Sequence, residues 1–152
     1  MILDEIDKKL INLLQNNSKQ TTKKLSLQLN LSVTAVYERV KKLENNNVIE
    51  KYVAIANKKK IEKSFLVFCH VKLVQHSKEY VTTFEREILK LEEVSECFHV
   101  SGDYDYILKI YAKDMDAYRQ FMVTKLTAIK YIGSTQSTFA IKELKDTTAI
   151  SL

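Results

Sequence analysis

The chain has 152 residues, of which 45% are hydrophobic and 28% charged, enough apolar material for one large or two small globular domains. It has no run of about 18 apolar residues and its N-terminus is acidic and amphipathic, which argues against a membrane span and a secretory signal. The two cysteines, Cys69 and Cys97, lack CxxC spacing, and the chain has only three histidines that could join them as metal ligands. We therefore expect a cytoplasmic protein with reduced cysteines and no metal site.

The excess positive charge lies entirely in the first part of the chain. Residues 1–63 carry 13 Lys and Arg against 7 Asp and Glu, a net charge of +6. Residues 64–152 carry 11 against 12, a net charge of −1. Such an asymmetry is typical of a nucleic-acid-binding part joined to a part with another task.

Apolar residues at helical spacing predict two short helices at the start of the chain. The first covers residues 4–15, with Asp4 as its N-cap. The second lies within residues 21–29 and ends at Asn30, a residue type that tolerates the left-handed backbone of a tight turn. The short link Asn30-Leu31 joins it to a third predicted helix.

This third helix, over residues 32–47, begins at the N-cap Ser32 and ends where Asn47 suits a left-handed residue. Together with the preceding helix it matches a helix-turn-helix, whose second helix enters the DNA major groove. The same pattern also fits two ordinary core helices with solvated lysine faces. The expected apolar face consists of Val33, Val36, Val40 and Leu43.

The segment after the third helix marks the boundary between the two parts. Residues 48–55 suit a strand, either the wing of a winged helix-turn-helix or a hinge strand. The lysine run that follows at residues 57–60 is typical of a solvated linker. We therefore divide the chain into a DNA-binding domain over 1–54, a hinge over 55–63 and a second domain over 64–152.

The second domain has the order strand, helix, strand, strand, helix, strand. This βαββαβ order predicts a ferredoxin-like fold, with both helices on one face of an antiparallel sheet, so the whole protein belongs to the α+β class. The expected strands cover residues 65–74, 94–100, 105–112 and 134–143, and the expected helices are 77–91 and the one that Asp114 caps.

The predicted sheet is apolar on both faces, although helices cover one of them. In the first strand, Val67 and Cys69 point to one face, and Leu66 and Phe68 point to the other. A second cover is therefore needed, and a partner subunit is the simplest one. We expect an obligate homodimer that packs sheet against sheet.

Three stretches resemble a known family of transcription factors. They are LDEIDKKLINLLQNN, LSLQLNLSVTAVYERVKKLENNNVIEKYVAI and VSGDYDYILKIYAKD. They are similar to the feast/famine regulators, the Lrp/AsnC family, over nearly the whole chain. Two positions depart from the family pattern: Asn47 replaces a common glycine, and the AIKYI segment before Gly133 lacks the usual proline-glycine turn.

The resemblance implies that the third helix reads double-stranded DNA. Thr34, Tyr37 and Glu38 are placed to reach base edges, and the basic side chains would neutralise phosphates. Arg39 leans toward the core and has a partly structural role in this interpretation. The DNA-facing set implied by the resemblance is Ser32, Thr34, Ala35, Tyr37, Glu38, Arg39, Lys41 and Lys42.

The resemblance also implies an amino-acid effector bound between dimers, which assemble into octamers. A carboxylate of the GDYDY loop would meet the ammonium group, and backbone amides and hydroxyls would meet the carboxylate. The same residues also fit ordinary turns and strand surface. The implied effector set is Gly102, Asp103, Tyr104, Asp105, Ser134, Thr135, Gln136 and Ser137.

Two other functions remain open from the sequence. Sirohaem decarboxylases share this fold resemblance, but the chain has no cluster of His and Arg to hold a porphyrin. We therefore expect no catalytic residues and no cofactor other than the effector ligand. An architectural DNA-binding protein that does not respond to metabolites is the second alternative.

Overall fold

The computed structural model describes residues 2–152, which form two compact units. The first unit contains the residues up to Ile55 together with Leu144–Leu152, and the second is Ala56–Glu143. The last nine residues thus group with the first unit, whereas the domain boundaries drawn from the sequence place them in the second. The side-chain amide of Gln15 holds them, because it donates to the Ile150 carbonyl at 2.8 Å and accepts from the Ile150 N–H at 2.8 Å.

Three helices form the first unit, as predicted: α1 is Glu5–Asn16, α2 is Thr22–Leu29 and α3 is Val33–Asn45. Each begins at a residue whose side-chain oxygen accepts a first-turn N–H, which satisfies one of the unpaired donors there: Asp4, Thr21 and Ser32. Asn30 and Asn47 both have φ of 53°, so the predicted left-handed positions are confirmed.

The three helices share a small hydrophobic core. Val33 differs from the prediction, because its side chain is 48% exposed. It is the first residue of α3, where the Cα–Cβ bond tilts toward the helix N-terminus. The buried apolar residues are Leu10, Ile11, Leu14, Leu25, Val36 and Leu43.

The predicted strand over residues 48–55 is wrong for this chain. Residues 50–56 make no backbone–backbone hydrogen bond with the residues that the structure describes. Tyr52, Val53 and Ile55 are about half exposed or more. An extended apolar segment becomes a strand only when a second strand satisfies its N–H and C=O groups, and residues 2–152 supply none beside it.

The second unit has the predicted βαββαβ order. Its elements are β1 Phe65–Leu73, α4 Lys78–Ile88, β2 Val94–His99, β3 Tyr106–Ala112, α5 Met115–Phe121 and β4 Ile132–Phe139. The four strands form an antiparallel sheet in the order β2-β3-β1-β4. α5 continues into one π-helical turn, Met122–Leu126.

The two faces of this sheet differ in burial. Val67, Cys69 and Leu108 point to the face that α4 and α5 cover and are fully buried. The opposite face, which we call the open face, carries Leu66, Phe68, Phe98, Ile107 and Tyr111. Phe98 is 51% exposed there.

The turn before β4 lies in the AIKYI segment, which lacks the family's usual proline-glycine turn. Tyr131 has φ of 74°, a left-handed conformation that is unusual for an aromatic residue. Its ring stacks on Tyr80 at 3.9 Å, and its hydroxyl donates to Glu79 at 3.0 Å. These contacts compensate for the backbone strain, so the turn closes without glycine at this position.

Candidate DNA-binding and effector sites

The polar face of α3 presents side chains that are available for contacts. Thr34, Glu38 and Lys42 are exposed and make no side-chain hydrogen bond or ion pair with the residues that the structure describes. Tyr37 is 51% exposed beside them. Ser32 holds the start of this face, because its hydroxyl accepts the Ala35 N–H at 3.1 Å. Polar groups without internal partners at the start of such a helix suit contacts with base edges.

Lys41 has partners within the protein. Its ammonium lies 2.9 Å from Glu44 Oε2 and 5.9 Å from the centre of the Tyr37 ring. Glu44 also accepts the Tyr52 hydroxyl at 3.0 Å, and burial together with this bond raises the pKa of Tyr52 to about 12. Sequence reasoning missed Glu44 and Tyr52 as supports of this face, because their contact depends on the path of the chain after α3.

Arg39 points away from this polar face. Its guanidinium donates to Asp4 at 2.7 Å and to Asp7 at 2.5 Å, both in or next to α1. Asp7 is only 1% exposed, so Arg39 is the main counter-charge of a buried carboxylate. Nη1 is held by two carboxylates and the side chain is 27% exposed, so the structure gives Arg39 a structural role in joining α3 to α1.

The GDYDY loop places its first carboxylate in solvent and its second in the fold. Gly102 has φ of +118°, a conformation that favours glycine, and Asp103 is exposed without a partner among residues 2–152. Asp105 instead accepts the Leu73 N–H at 2.8 Å and lies 3.2 Å from His76 Nδ1. Asp103 is therefore the carboxylate that is free for a ligand.

The predicted residues of β4 divide between the two sheet faces. Gln136 lies opposite His70 on the open face, and its side-chain carbonyl accepts the Tyr104 hydroxyl. Ser137 lies on the helix-covered face, where its hydroxyl is 2.5 Å from that of Tyr118. Strand alternation gives Ser134 the face of Gln136 and Thr135 the face of Ser137.

The structure brings two of the eight predicted effector residues, Asp103 and Tyr104, together in one depression. This depression of about 630 Å³ beside the GDYDY loop is lined by His70, Ser101, Asp103, Tyr104 and Ile107, among others. The rings of His70 and Tyr104 lie 5.2 Å apart. His70 was not predicted, because only the long-range pairing of β1 with β4 places it beside Gln136.

Two family models match the chain in sequence. Residues 3–50 match a winged helix-turn-helix DNA-binding domain, and residues 66–150 match the Lrp/AsnC ligand-binding domain. The chain belongs to the Lrp/AsnC family. The predicted combination of a winged helix-turn-helix with a ferredoxin-like ligand-binding domain is therefore confirmed, and members of this family are DNA-binding transcriptional regulators.

Curated relatives and solved structures agree with this membership. The chain is 37% identical to the leucine-responsive regulatory protein of Haemophilus influenzae over 99% of its own length and 90% of the relative's. It is 35% identical to the protein of the same name from Escherichia coli K12, over 94% and 87%. The transcriptional regulator NMB0573 of Neisseria meningitidis, solved with L-Met, has a TM-score of 0.93, 30% identity and 99% and 96% coverage.

Among residues 2–152, no group of three or more His, Cys, Asp or Glu side chains is arranged to hold a metal ion. None of the helices described is long and apolar enough to cross a membrane.

Proposed function

We propose that this protein is a sequence-specific transcriptional regulator whose DNA binding or assembly responds to a small amino acid. The observation that carries the proposal is the combination of two domains in one chain. The helix-turn-helix has a free polar face, and the Lrp/AsnC ligand-binding domain has an open, acidic loop. The leucine-responsive names of the relatives and the L-Met complex of NMB0573 support an amino-acid effector. We place the protein in the cytoplasm, where its DNA target lies.

Fluorescence anisotropy on the DNA upstream of its own gene tests this function, with and without each common amino acid. A salt-dependent affinity that shifts with one or a few amino acids supports the regulator. Tight binding that no amino acid changes supports the architectural alternative. No binding to DNA, together with a spectral change on adding sirohaem, would support an enzyme instead.

For the DNA interface we propose the exposed polar face of α3. Thr34, Tyr37 and Glu38 meet base edges, and Lys41 and Lys42 neutralise phosphates. Arg39 is not included, because the carboxylates of Asp4 and Asp7 already hold its Nη1. The proposed set is Ser32, Thr34, Ala35, Tyr37, Glu38, Lys41 and Lys42.

Replacing Lys42 with alanine is expected to weaken binding to all DNA sequences alike. Lys42 has no internal partner, so its charge is available to a phosphate, and losing one phosphate contact reduces the log–log salt slope by about one. Anisotropy titrations on operator and random DNA at several salt concentrations measure both quantities. Lys78→Ala, on α4, makes the same charge change as a control, and a sequence-selective loss in Lys42→Ala would refute the phosphate assignment.

For the effector we propose the depression beside the GDYDY loop, completed by a second subunit. Asp103 meets the ammonium group of the amino acid, and backbone amides with the Ser134 hydroxyl meet its carboxylate. Tyr104 and Gln136 lie beside them and contact the side chain. Gly102 shapes the loop, whereas Asp105, Thr135 and Ser137 support the site from within the fold.

Asp103→Ala is expected to abolish the thermal shift that the effector causes, while the melting temperature without effector stays unchanged. Asp103 is exposed and has no internal partner, so its removal costs the fold little. Differential scanning fluorimetry with and without the effector makes the comparison. Glu92→Ala removes another exposed carboxylate as the control, and an undiminished shift in Asp103→Ala would contradict the site.

We further propose a homodimer that packs through the open face of the sheet, with octamers formed from such dimers. Phe68, Phe98 and Ile107 supply the apolar surface for this contact. The octamer rests on family resemblance alone.

A further inference from the structure

The start of α3 exposes an aliphatic side chain that helical spacing assigns to the core. Val33 is 48% exposed, whereas Val36 and Leu43 on the apolar face are fully buried. Val33 directly follows the N-cap Ser32, so it is the first residue of the helix. Positions where the sequence pattern and the fold disagree are often functional, because a local rule is broken there in exchange for another gain.

The position of Val33, rather than its exposure alone, points to a function. Single exposed aliphatic residues are ordinary on protein surfaces. In a helix-turn-helix, however, the residues at the N-terminal end of the second helix are those that contact base edges in the major groove. Tyr37 is 51% exposed and lies beside Val33, because residues four apart are neighbours on a helix surface. The two side chains form an exposed apolar strip at the end of α3 that would enter the groove.

The polar side chains of α3 offer few ways to read bases through paired hydrogen bonds. Such contacts to adenine come from Asn or Gln, and those to guanine come from Arg or Lys. Residues 32–43 contain no Asn or Gln, and two carboxylates at the start of α1 hold their one arginine, Arg39. Lys41 is paired with Glu44, which leaves Lys42 as the one basic side chain of this stretch without a partner among residues 2–152. An apolar contact would supply part of the specificity that these side chains lack.

The C5-methyl group of thymine is the base feature that attracts an aliphatic side chain. It projects into the major groove, where it helps to distinguish an A·T pair from the other pairs. Its contact with a protein methyl group removes apolar surface from water, and burial of one methyl-sized group corresponds to about a fourfold change in affinity. Valine can neither donate nor accept a hydrogen bond, so this is the favourable base contact open to it.

We propose that Val33 is a specificity-determining residue that contacts the C5-methyl group of a thymine in the operator. The inference rests on the proposed function, because it requires that α3 enters the major groove. The role of Val33 differs from that of Lys42. The valine reads the sequence, whereas the lysine binds a phosphate wherever the backbone runs. A change at Val33 therefore affects binding to the operator and leaves binding to random DNA as it is.

A double-mutant cycle between the protein and the DNA tests this contact. The probe is the shortest duplex from the DNA upstream of the protein's own gene that the full-length protein binds tightly. Each thymine is replaced by uracil, which lacks only the methyl group, both singly and in symmetry-related pairs. Fluorescence anisotropy measures the affinity of the wild type and of Val33→Ala for every duplex.

Two controls accompany the cycle. Alanine favours the helix more than valine does, and Val33 is exposed, so Val33→Ala should melt at or slightly above the temperature of the wild type. Circular dichroism measures that temperature. Val123→Ala removes the same two methyl groups from a side chain that is 68% exposed in the second unit. It should bind every duplex as the wild type does.

The contact predicts that the two losses are coupled. Uracil at one symmetry-related pair of thymines should weaken binding of the wild type about tenfold or more, since each position contributes about fourfold. Val33→Ala should weaken binding to the unmodified duplex by a comparable factor. Val33→Ala on the uracil duplex should lose nothing further, because the contact is already absent there.

The other outcomes separate this inference from the proposed function. If uracil weakens the wild type and Val33→Ala by the same factor at every thymine, the losses are independent and the contact is overturned, while the regulator stands. Unchanged affinity of Val33→Ala for the operator, or an equal loss on operator and random DNA, overturns the contact as well. If the wild type binds no DNA, the regulator and the contact both fail.

Discussion

Replacing Arg39 with methionine is expected to lower the free energy of unfolding by about 3 kcal/mol or more, the usual cost of leaving a buried charge unpaired. Methionine keeps most of the apolar stem, so the loss reports the charge. The carboxylate of Asp7 is 1% exposed and lies 2.5 Å from Arg39 Nη1. Without the guanidinium, Asp7 remains buried with only a weak contact from the Asp4 N–H at 3.4 Å. Urea denaturation at pH 7 measures the change.

An exposed ion pair on α1, the helix that contains Asp7, provides the control. Lys8 and Glu5 are 2.7 Å apart but exposed, so Lys8→Met should change the free energy of unfolding by less than about 1 kcal/mol. The double variant Asp7→Leu with Arg39→Met should recover much of the loss, because it removes both buried charges. If Arg39→Met were as stable as the wild type and bound DNA with a reduced salt slope, Arg39 would be a phosphate contact after all.

Asp4, the second carboxylate bonded to Arg39, makes the first unit sensitive to acid. The Asp7 N–H and then the Arg39 guanidinium hold the pKa of Asp4 below its ordinary value of 3.8. A lowered folded-state pKa stabilises the fold above the unfolded value, and this contribution is lost as the pH falls through the folded value. The contribution of Asp4 is therefore complete at neutral pH and disappears below about pH 4.

Local signals in the sequence predicted the helices well, because their causes are local. Asp4, Ser32 and Asp114 start helices because their side chains reach an N–H three residues later. Asn30 and Asn47 end helical segments because asparagine tolerates the left-handed backbone. Each of these positions depends on a few neighbours in the chain, so one sequence suffices to predict it.

The sites were harder to predict, because they depend on contacts between distant segments. Helical spacing places Arg39 near the edge of the recognition face, but only the position of α1 decides that its charge pairs with Asp7. Residues 134–137 follow one another in sequence, yet alternation sends Gln136 to the open face and Ser137 to Tyr118. The apolar content of residues 48–55 does not reveal that no strand among residues 2–152 pairs with them.

Replacing Ile107 with lysine is expected to dissociate the proposed dimer, with the dissociation constant rising at least about a hundredfold, as a charge buried in an interface costs several kcal/mol. Ile107 lies at the centre of the open face, opposite Phe98 on one side and His70 on the other. Glu96, on the neighbouring strand, already pairs with Lys109 at 2.8 Å, so a further cation on this face would have to compete for its charge.

Sedimentation velocity at micromolar concentration distinguishes the outcomes. The wild type should sediment as a dimer or a larger assembly, and Ile107→Lys as a monomer. Leu89→Lys also replaces an exposed apolar residue, but at the end of α4, and should leave the assembly unchanged. A wild-type monomer at this concentration would contradict the open-face dimer.

The same variant tests how the two halves of the protein depend on each other. Ile107→Lys leaves α3 intact, so each chain should still bind DNA weakly through one helix-turn-helix. A dimer places two recognition helices on two half-sites, and its loss removes the gain in affinity that comes from binding both at once. If the effector site needs a second subunit, the monomer must also lose its response to amino acids. A monomer whose DNA affinity still shifted with the effector would show that the site is complete within one chain.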